Sequence, residues 1–127
     1  MNNNTPTIEK WQAELKQAFR NNRELASFLG HEVPKTSYPL LLPIRVATKI
    51  KEKGPESALA KQFLPEAQEN KNQSEVYDDP IGDQIHSPAP QLIHRYPSRA
   101  LFLPTSSCPV ICRYCFRKNE LHDGLEF

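Results

Sequence analysis

The sequence predicts an α/β protein in which a helical N-terminal region precedes a loop-rich part with one buried strand. Apolar residues recur at helical spacing in the first half of the chain, and a short apolar run, 100–103, follows a polar stretch. Twelve prolines among 127 residues exclude long regular elements from the middle of the sequence. We therefore expect a helical region at 1–65, a polar linker at 66–75 and a second part at 76–127.

The first helix is predicted over about residues 6–20, where apolar side chains recur every three or four positions. We interpret Trp11 and Phe19 as core or interface packing. Asn21 can cap a second helix that Gly30 ends, because the left-handed residue that often closes a helix is usually glycine. The two helices are expected to form a helical hairpin.

Two more helices are predicted after a proline-rich segment. Pro43 can start a helix that has Ala47 and Ile50 on one face, and Gly54 can stop it. A shorter helical stretch is expected around residues 57–63. These elements complete the helical region.

The second part of the chain is expected to carry the chemistry. The segment 66–75 has alanine as its single apolar residue and is interpreted as a surface linker, because it cannot offset its own ordering entropy. Turn formers dominate residues 78–90, which predicts an ordered loop. The run 100–103 suits a buried strand of the parallel type, and the cysteines follow it in a loop. In α/β folds, sites are built at that end of a strand.

The charge pattern excludes some partners. The net charge is +1 with acids and bases interspersed, so no field of one sign attracts nucleic acid or an anionic membrane. The first residues lack the basic start and apolar core of a signal peptide, and no window is apolar for long enough to cross a bilayer. A cytoplasmic protein is the expectation.

Three cysteines, Cys108, Cys112 and Cys115, are the strongest functional motif. Their C-x3-C-x2-C spacing places three thiolates on one short loop, which can bind three corners of a 4Fe–4S cluster and leave one iron open. An odd number of closely spaced cysteines is a poor disulfide framework. Zinc is the alternative metal, with His122 as the fourth ligand.

Residues around the cysteines make a specific resemblance. The motifs are Asp79-Pro80-Ile81-Gly82-Asp83, His86-Ser87-Pro88, His94-Arg95-Tyr96-Pro97, Arg99 and Cys112-Arg113-Tyr114-Cys115-Phe116-Arg117. In these motifs the chain resembles the lysine 2,3-aminomutase family, from about Trp11 to its end and most strongly over 79–117. The cysteine spacing alone identifies the radical S-adenosylmethionine superfamily, and the flanking motifs narrow it to aminomutases.

The resemblance implies an isomerase that moves an amino group between C2 and C3 of an amino acid, such as lysine. Its cofactors would be a 4Fe–4S cluster, S-adenosylmethionine and pyridoxal 5′-phosphate. Its partners would be a one-electron reductant such as flavodoxin or ferredoxin and a second copy bound through the N-terminal helices. The implied fold is the first strand and cluster loop of an incomplete radical S-adenosylmethionine (β/α) barrel.

Site residues follow from the resemblance position by position. Arg95 and Arg99 resemble the pyridoxal phosphate contacts, and Tyr96 resembles the aromatic residue that packs on the cofactor ring. Tyr114 occupies the position near the adenine, and Arg117 that of the arginine for the substrate carboxylate. The alternatives are surface charges for Arg95 and Arg99, packing for Tyr114, and neutralisation of the thiolates for Arg117.

No catalytic residue and no pyridoxal lysine can be assigned, and the substrate's identity stays open. The chain is expected to be an inactive N-terminal fragment, because a full barrel typically needs about 250 residues. The competing hypothesis is a small stand-alone iron–sulfur or zinc-binding module without catalysis.

Overall fold

A computed structural model describes residues 8–71, 79–105 and 107–117. Contacts within the chain divide it into two compact units. The first consists of residues 1–70 together with 109–113, and the second of 71–108 together with 114–127.

Helix α1 (Ile8–Lys16) ends before the predicted end at about residue 20, and the predicted start at residue 6 lies outside the described residues. The chain leaves the helix because Phe19 forms a β-bridge with Leu42: the Phe19 amide donates to the Leu42 carbonyl at 2.8 Å, and the reverse bond is 3.0 Å. Phe19 packs against the core, as expected. Trp11 is 53% exposed, so core packing is wrong for this residue and interface packing remains a prediction. The apolar spacing in the sequence continues past Lys16, where the helix ends, because a residue in a β-bridge such as Phe19 can face the same apolar side as the helix.

Helix α2 (Asn22–Leu29) begins and ends as the sequence predicts. The Asn21 side chain accepts hydrogen bonds from the Arg23 and Glu24 amides, which have no partner inside the first turn. Gly30 closes the helix in the left-handed conformation, with φ of 82°. Asn22 then joins α2 to a later segment by donating to the Pro34 carbonyl at 2.8 Å.

Helices α3 (Ile44–Lys53) and α4 (Ala58–Phe63) are also confirmed. Pro43 lies at the N-cap position of α3, and Gly54 ends that helix. The Ser57 hydroxyl accepts from the Ala60 amide at 3.2 Å and so caps α4.

The core of the first unit is formed by one apolar side of each of α2, α3 and α4 and by the extended chain between α2 and α3. Its buried residues are Leu25, Leu29, Val33, Leu40, Leu42, Ala47, Ile50, Ala60 and Leu64. Leu25, Leu42 and Ile50 are fully buried.

The polar stretch 66–75 contains more structure than a bare linker. Ala67–Asn70 forms a 3₁₀ helix, and the Asn70 side chain donates to the Lys35 carbonyl at 2.8 Å. Residues 72–75 lie outside the described residues, so the predicted boundary at this stretch remains a prediction.

The second unit contains a turn at residues 79–82, a 3₁₀ helix at Gln84–His86 and a β-hairpin. The hairpin strands are β1 (Leu92–Tyr96) and β2 (Arg99–Phe102), which pair antiparallel. Leu92 faces Phe102 and Tyr96 faces Arg99, and a register shift lies between these pairs.

The hairpin corrects the prediction of a buried parallel strand at 100–103. Strand β2 is antiparallel, and all four of its residues are exposed. A short apolar run does not reveal its partner, and here a two-residue connection after Tyr96 brings the chain straight back. Arg95 lies within strand β1.

Across the described ranges, this hairpin is the whole of the strand structure, and it forms no (β/α) barrel. The fold class is therefore mixed helix and sheet, as predicted, and the barrel itself is not part of this structure. None of the described helices has the length and apolar character that a membrane span requires.

Candidate cofactor-binding site

The Asp79-Pro80-Ile81-Gly82-Asp83 motif folds into a turn that the Asp79 carboxylate organises. Asp79 Oδ1 accepts from the Asp83 amide at 2.9 Å, and Oδ2 accepts from the Gln84 amide at 2.8 Å. The hydrogen bond from the Gln84 amide is the main cause that lowers the pKa of Asp79 below its ordinary value of 3.8, and the amides of Asp83 and Gly82 and the charge of Arg95 add to it. The turn thereby fixes the backbone of Asp83.

Asp83 is a buried carboxylate that binds two arginines. Asp83 is only 5% exposed, yet both oxygens of its carboxylate have charged partners. Oδ1 lies 3.2 Å from Nη2 of Arg95, and Oδ2 lies 3.0 Å from Nη2 of Arg117. A buried charge needs such partners because its desolvation is otherwise costly. Arg95, which was predicted to bind the cofactor phosphate, and Arg117, which was predicted to bind the substrate carboxylate, are thus held by one carboxylate.

Arg95 has a second bond that fixes its direction. Its Nη2 also donates to the Ile81 carbonyl, so the same nitrogen contacts the turn and Asp83. Both bonds use Nη2, which leaves the Nε and Nη1 donors of Arg95 outside this contact. The Arg95 side chain is 33% exposed and can therefore meet a ligand from solvent.

A cavity of about 450 Å³ lies beside this cluster. Its wall combines three predicted cofactor contacts with Asp83 and with apolar residues from the turn and the hairpin. The lining residues are Ile81, Asp83, Ile93, Arg95, Tyr96, Arg99, Ala100 and Leu101.

Arg99 and Tyr96 are stacked at the end of the hairpin. The Arg99 guanidinium carbon lies 4.5 Å from the centroid of the Tyr96 ring, a cation–π distance. This contact follows from the register, because Tyr96 and Arg99 are directly paired. It keeps a guanidinium and an aromatic ring together in the cavity wall.

The cavity fits the chemistry of pyridoxal phosphate. Guanidinium groups bind phosphate oxygens through paired donors, and Arg95 and Arg99 both line the cavity. Ile93 and Leu101 add apolar surface of the kind that an aromatic ring requires. The structure therefore brings together Arg95, Tyr96 and Arg99 in one cavity wall, and their contact with pyridoxal phosphate remains a prediction.

Sequence reasoning assigned no role to Asp83, although the residue was part of a motif that it singled out. Its importance comes from partners 12 and 34 residues away in the sequence, which no local pattern reveals. An aspartate among turn formers is most often a turn residue. One indication of its role was available in the sequence: three arginines were predicted for one site, and no acidic residue was assigned to balance their positive charge.

The cysteine segment is held by backbone bonds within the first unit. The Ile111 amide donates to the Leu41 carbonyl at 3.0 Å, and the Arg113 amide donates to the Gln62 carbonyl at 2.9 Å. Ile111 is buried. Residues 109–113, which include Cys112, are thus part of the first unit's packed structure.

Arg113 is the second residue that sequence reasoning missed. Its side chain is 7% exposed and forms an ion pair with Glu69, through Nε at 3.0 Å from Oε1 and through Nη2 to Oε2. Nη2 also donates to the Thr36 hydroxyl at 3.0 Å, and Nη1 to the Pro39 carbonyl at 3.3 Å. The arginine between Cys112 and Tyr114 therefore anchors the cysteine segment.

The three cysteines match an iron–sulfur cluster in donor chemistry. All three are partly buried thiols outside any disulfide. Within the ranges that the structure describes, however, no three His, Cys, Asp or Glu side chains are grouped so as to hold a metal ion. The assignment of Cys108, Cys112 and Cys115 as ligands therefore depends on their spacing, and we claim no geometry for it.

The remaining predicted site residues are Tyr114, Arg117 and His122. Tyr114 is 68% exposed, so its alternative role in packing has no support, and its predicted place near an adenine remains a prediction. The Arg117 guanidinium carbon lies 4.8 Å from the Phe116 ring centroid, in addition to its bond to Asp83. His122, the fourth ligand of the zinc alternative, lies outside the described residues.

Comparisons with known proteins point to one family. The chain is 30% identical to L-lysine 2,3-aminomutase of Escherichia coli (strain K12) over 125 residues, which cover 91% of this chain and 36% of that protein. It is 32% identical over 120 residues to the enzyme of the same name from Buchnera aphidicola subsp. Baizongia pistaciae, covering 87% of this chain and 35% of the relative. It is 38% identical over 65 residues to that of Clostridium subterminale, covering 51% of this chain and 16% of the relative.

These matches are partial. The chain spans about a third of the length of the first two relatives, with 36% and 35% covered. No protein-family model matches the chain, and no solved structure matches it significantly. The agreement among several relatives nevertheless confirms the resemblance that the motifs indicated. The chain therefore belongs to the lysine 2,3-aminomutase family.

Proposed function

We propose that this chain supplies cofactor- and substrate-binding residues of a radical S-adenosylmethionine amino-acid 2,3-aminomutase that converts lysine to β-lysine. The observation that carries the proposal is the cavity in which Arg95, Tyr96 and Arg99 meet. These residues come from two paired strands, and the resemblance implied the same three as pyridoxal phosphate contacts.

The predicted binding residues each have a definable task. Arg95 and Arg99 bind the phosphate of pyridoxal 5′-phosphate, and Tyr96 packs against its ring. Arg117 binds the carboxylate of the amino acid. When bound, pyridoxal phosphate supplies the electron-accepting ring that the amino-group migration requires.

The cysteines have a separate task in the proposal. Cys108, Cys112 and Cys115 hold three irons of a 4Fe–4S cluster, and Tyr114 lies near the adenine of S-adenosylmethionine. The cluster and S-adenosylmethionine supply the radical chemistry, with flavodoxin or ferredoxin as the electron donor. A second copy is proposed to bind through the N-terminal helices, where Trp11 is 53% exposed.

We propose that the residues assigned above do not suffice for turnover. The chain spans 36% of the Escherichia coli enzyme, and no residue in it is assigned as a catalytic acid, base or cofactor lysine. We expect the 127-residue chain to bind cofactors without producing β-lysine.

Anaerobic reconstitution with iron and sulfide tests the metal site. We expect 4Fe–4S absorption and a reduced-state EPR signal that shifts when S-adenosylmethionine is added, because an open iron binds the cofactor. Replacing any one of Cys108, Cys112 and Cys115 with serine should abolish the signal, whereas Ser107→Ala should preserve it. Stoichiometric zinc without a cluster would instead support the stand-alone module.

A further inference from the structure

Asp83 has a geometry that a simple surface ion pair does not have. The residue is 5% exposed, and its two oxygens contact two different arginines at 3.2 and 3.0 Å. Charge-assisted hydrogen bonds of this kind fix both the position and the direction of a guanidinium group. Its backbone amide is in turn bound by the Asp79 carboxylate at 2.9 Å, which fixes the point from which the side chain extends.

The cluster has an excess of positive charge. Arg95, Arg99 and Arg117 carry one positive charge each, and the carboxylates of Asp79 and Asp83 offset two of them. The excess suits a phosphate monoester, which carries between one and two negative charges at neutral pH. An acid in such a place lowers the total attraction for anions, so its presence needs a reason other than charge.

We propose that Asp83 is a positioning residue that organises the cavity to bind a phosphate ester by fixing the Arg95 guanidinium group, while its second oxygen holds Arg117. With Nη2 of Arg95 directed at Asp83 and Ile81, its remaining donors have one defined direction. The cost of immobilising a long side chain is then met during folding and not during ligand binding. The identity of the ester rests on the proposed function, but the positioning role does not.

The Asp83→Asn variant separates positioning from charge. Asparagine keeps the size of the side chain but has one acceptor and one donor, so its NH₂ group would face an arginine donor. The variant is also more positive by one unit, which favours anion binding. If Asp83 positions the arginines, affinity for a phosphate ester falls about tenfold in spite of the added charge.

The ligand for this test is pyridoxine 5′-phosphate, which lacks the aldehyde and therefore cannot react with surface lysines. Titration into the ¹⁵N-labelled 127-residue chain, at constant ionic strength, gives Kd from the amide shifts of β1 and β2. Glu52→Gln is the matched control, because it makes the same charge change at an exposed ion pair with Lys49. Asp83→Glu retains the charge and should recover part of the affinity.

The outcomes distinguish the two proposals. A tenfold loss in Asp83→Asn with an unchanged Glu52→Gln supports positioning. Equal or tighter binding by Asp83→Asn would overturn it, since the acid would then only reduce charge. The wild-type chain could instead bind inorganic phosphate, with Asp83→Asn weakening that binding, but fail to bind pyridoxine 5′-phosphate. In that case the positioning inference stands and the pyridoxal site of the proposed function fails. If wild type binds neither, both fail.

A measurement on the wild-type chain tests the positioning role even if the Asp83→Asn variant does not fold. The Nε–Hε resonances of Arg95 and Arg117 should show slow guanidinium rotation and protection from solvent, as ion-paired groups do, whereas exposed Arg45 should not. Fast rotation of both Arg95 and Arg117 would contradict the positioning role without the use of any variant.

Discussion

Asp79 shows how one side chain determines the form of a functional loop. Its two oxygens bind two consecutive amides, at 2.9 and 2.8 Å, and so act on the backbone that holds Asp83. Arg113 has an equivalent effect in the first unit, where it joins Glu69, Thr36 and Pro39. Such contacts to a nearly buried arginine are expected to contribute more than the exposed Lys49–Glu52 pair.

The Asp79 turn should be sensitive to acid. Because the pKa of Asp79 is lowered in the folded state, chiefly by the Gln84 amide, its stabilising effect is complete above the ordinary value of 3.8 and is lost as pH falls through the lower folded pKa. The Asp83 and Gln84 amide resonances should titrate with a midpoint below 3.8. Asp79→Asn should remove this titration, and a midpoint at or above the ordinary value would contradict the assignment.

At the scale of elements, two glycines end helices for different reasons. Gly30 has φ of 82° and ψ of 17°, in the left-handed region that asparagine also tolerates. Gly54 has φ of 87° and ψ of 166°, a region almost confined to glycine, and it precedes Pro55, which disfavours helix at the preceding residue. An added Cβ would meet no atom within 4 Å at either position, so the backbone alone sets the cost of substitution.

Replacing each glycine with asparagine should reveal this difference. We expect Gly30→Asn to lower the free energy of unfolding by less than about 1 kcal/mol, since asparagine visits the left-handed region. Gly54→Asn should cost about 2–3 kcal/mol, because no side chain suits that conformation. Urea unfolding followed by circular dichroism measures both, and equal costs would show that the two helix ends are equivalent.

At the scale of the whole molecule, buried apolar surface is distributed unevenly. The first unit has a core that includes the fully buried Leu25, Leu42 and Ile50. Among the described residues of the second unit, Ile93 is the buried apolar side chain, and β2 is exposed along its length. A two-stranded hairpin with so little burial is marginal in water. We therefore expect the ion pair between Arg95 and Asp83 to contribute to the order of the hairpin.

Hydrogen exchange should report this distribution. Amides of α2 and α3 should be the most protected, and amides of β1 and β2 should exchange through low-energy openings. Ile50→Ala should lower the opening free energy of α3 amides by about 2–5 kcal/mol, because it leaves a cavity in the core. Leu101→Ala, at a residue 44% exposed, is the control and should leave α3 protection unchanged. Equal protection in both units would contradict the expected distribution.

The sequence by itself determined the features that depend on neighbours along the chain. The cap at Asn21 and the helix ends at Gly30 and Gly54 are local, and the structure confirms them. The cysteine spacing and the flanking motifs likewise led to the family without any coordinates. Where a pattern was ambiguous, as in the run 100–103, local information gave a strand but the wrong partner and burial.

Only the tertiary structure decided which distant residues meet. Asp83 binds Arg95 and Arg117, 12 and 34 residues away, and Glu69 binds Arg113 across 44 residues. Neither acid was assigned a role from the sequence, because an aspartate in a turn and a glutamate in a polar stretch are ordinary. An ion pair is specified by the fold that brings the charges together and by the burial that strengthens them, and periodicity and spacing encode neither.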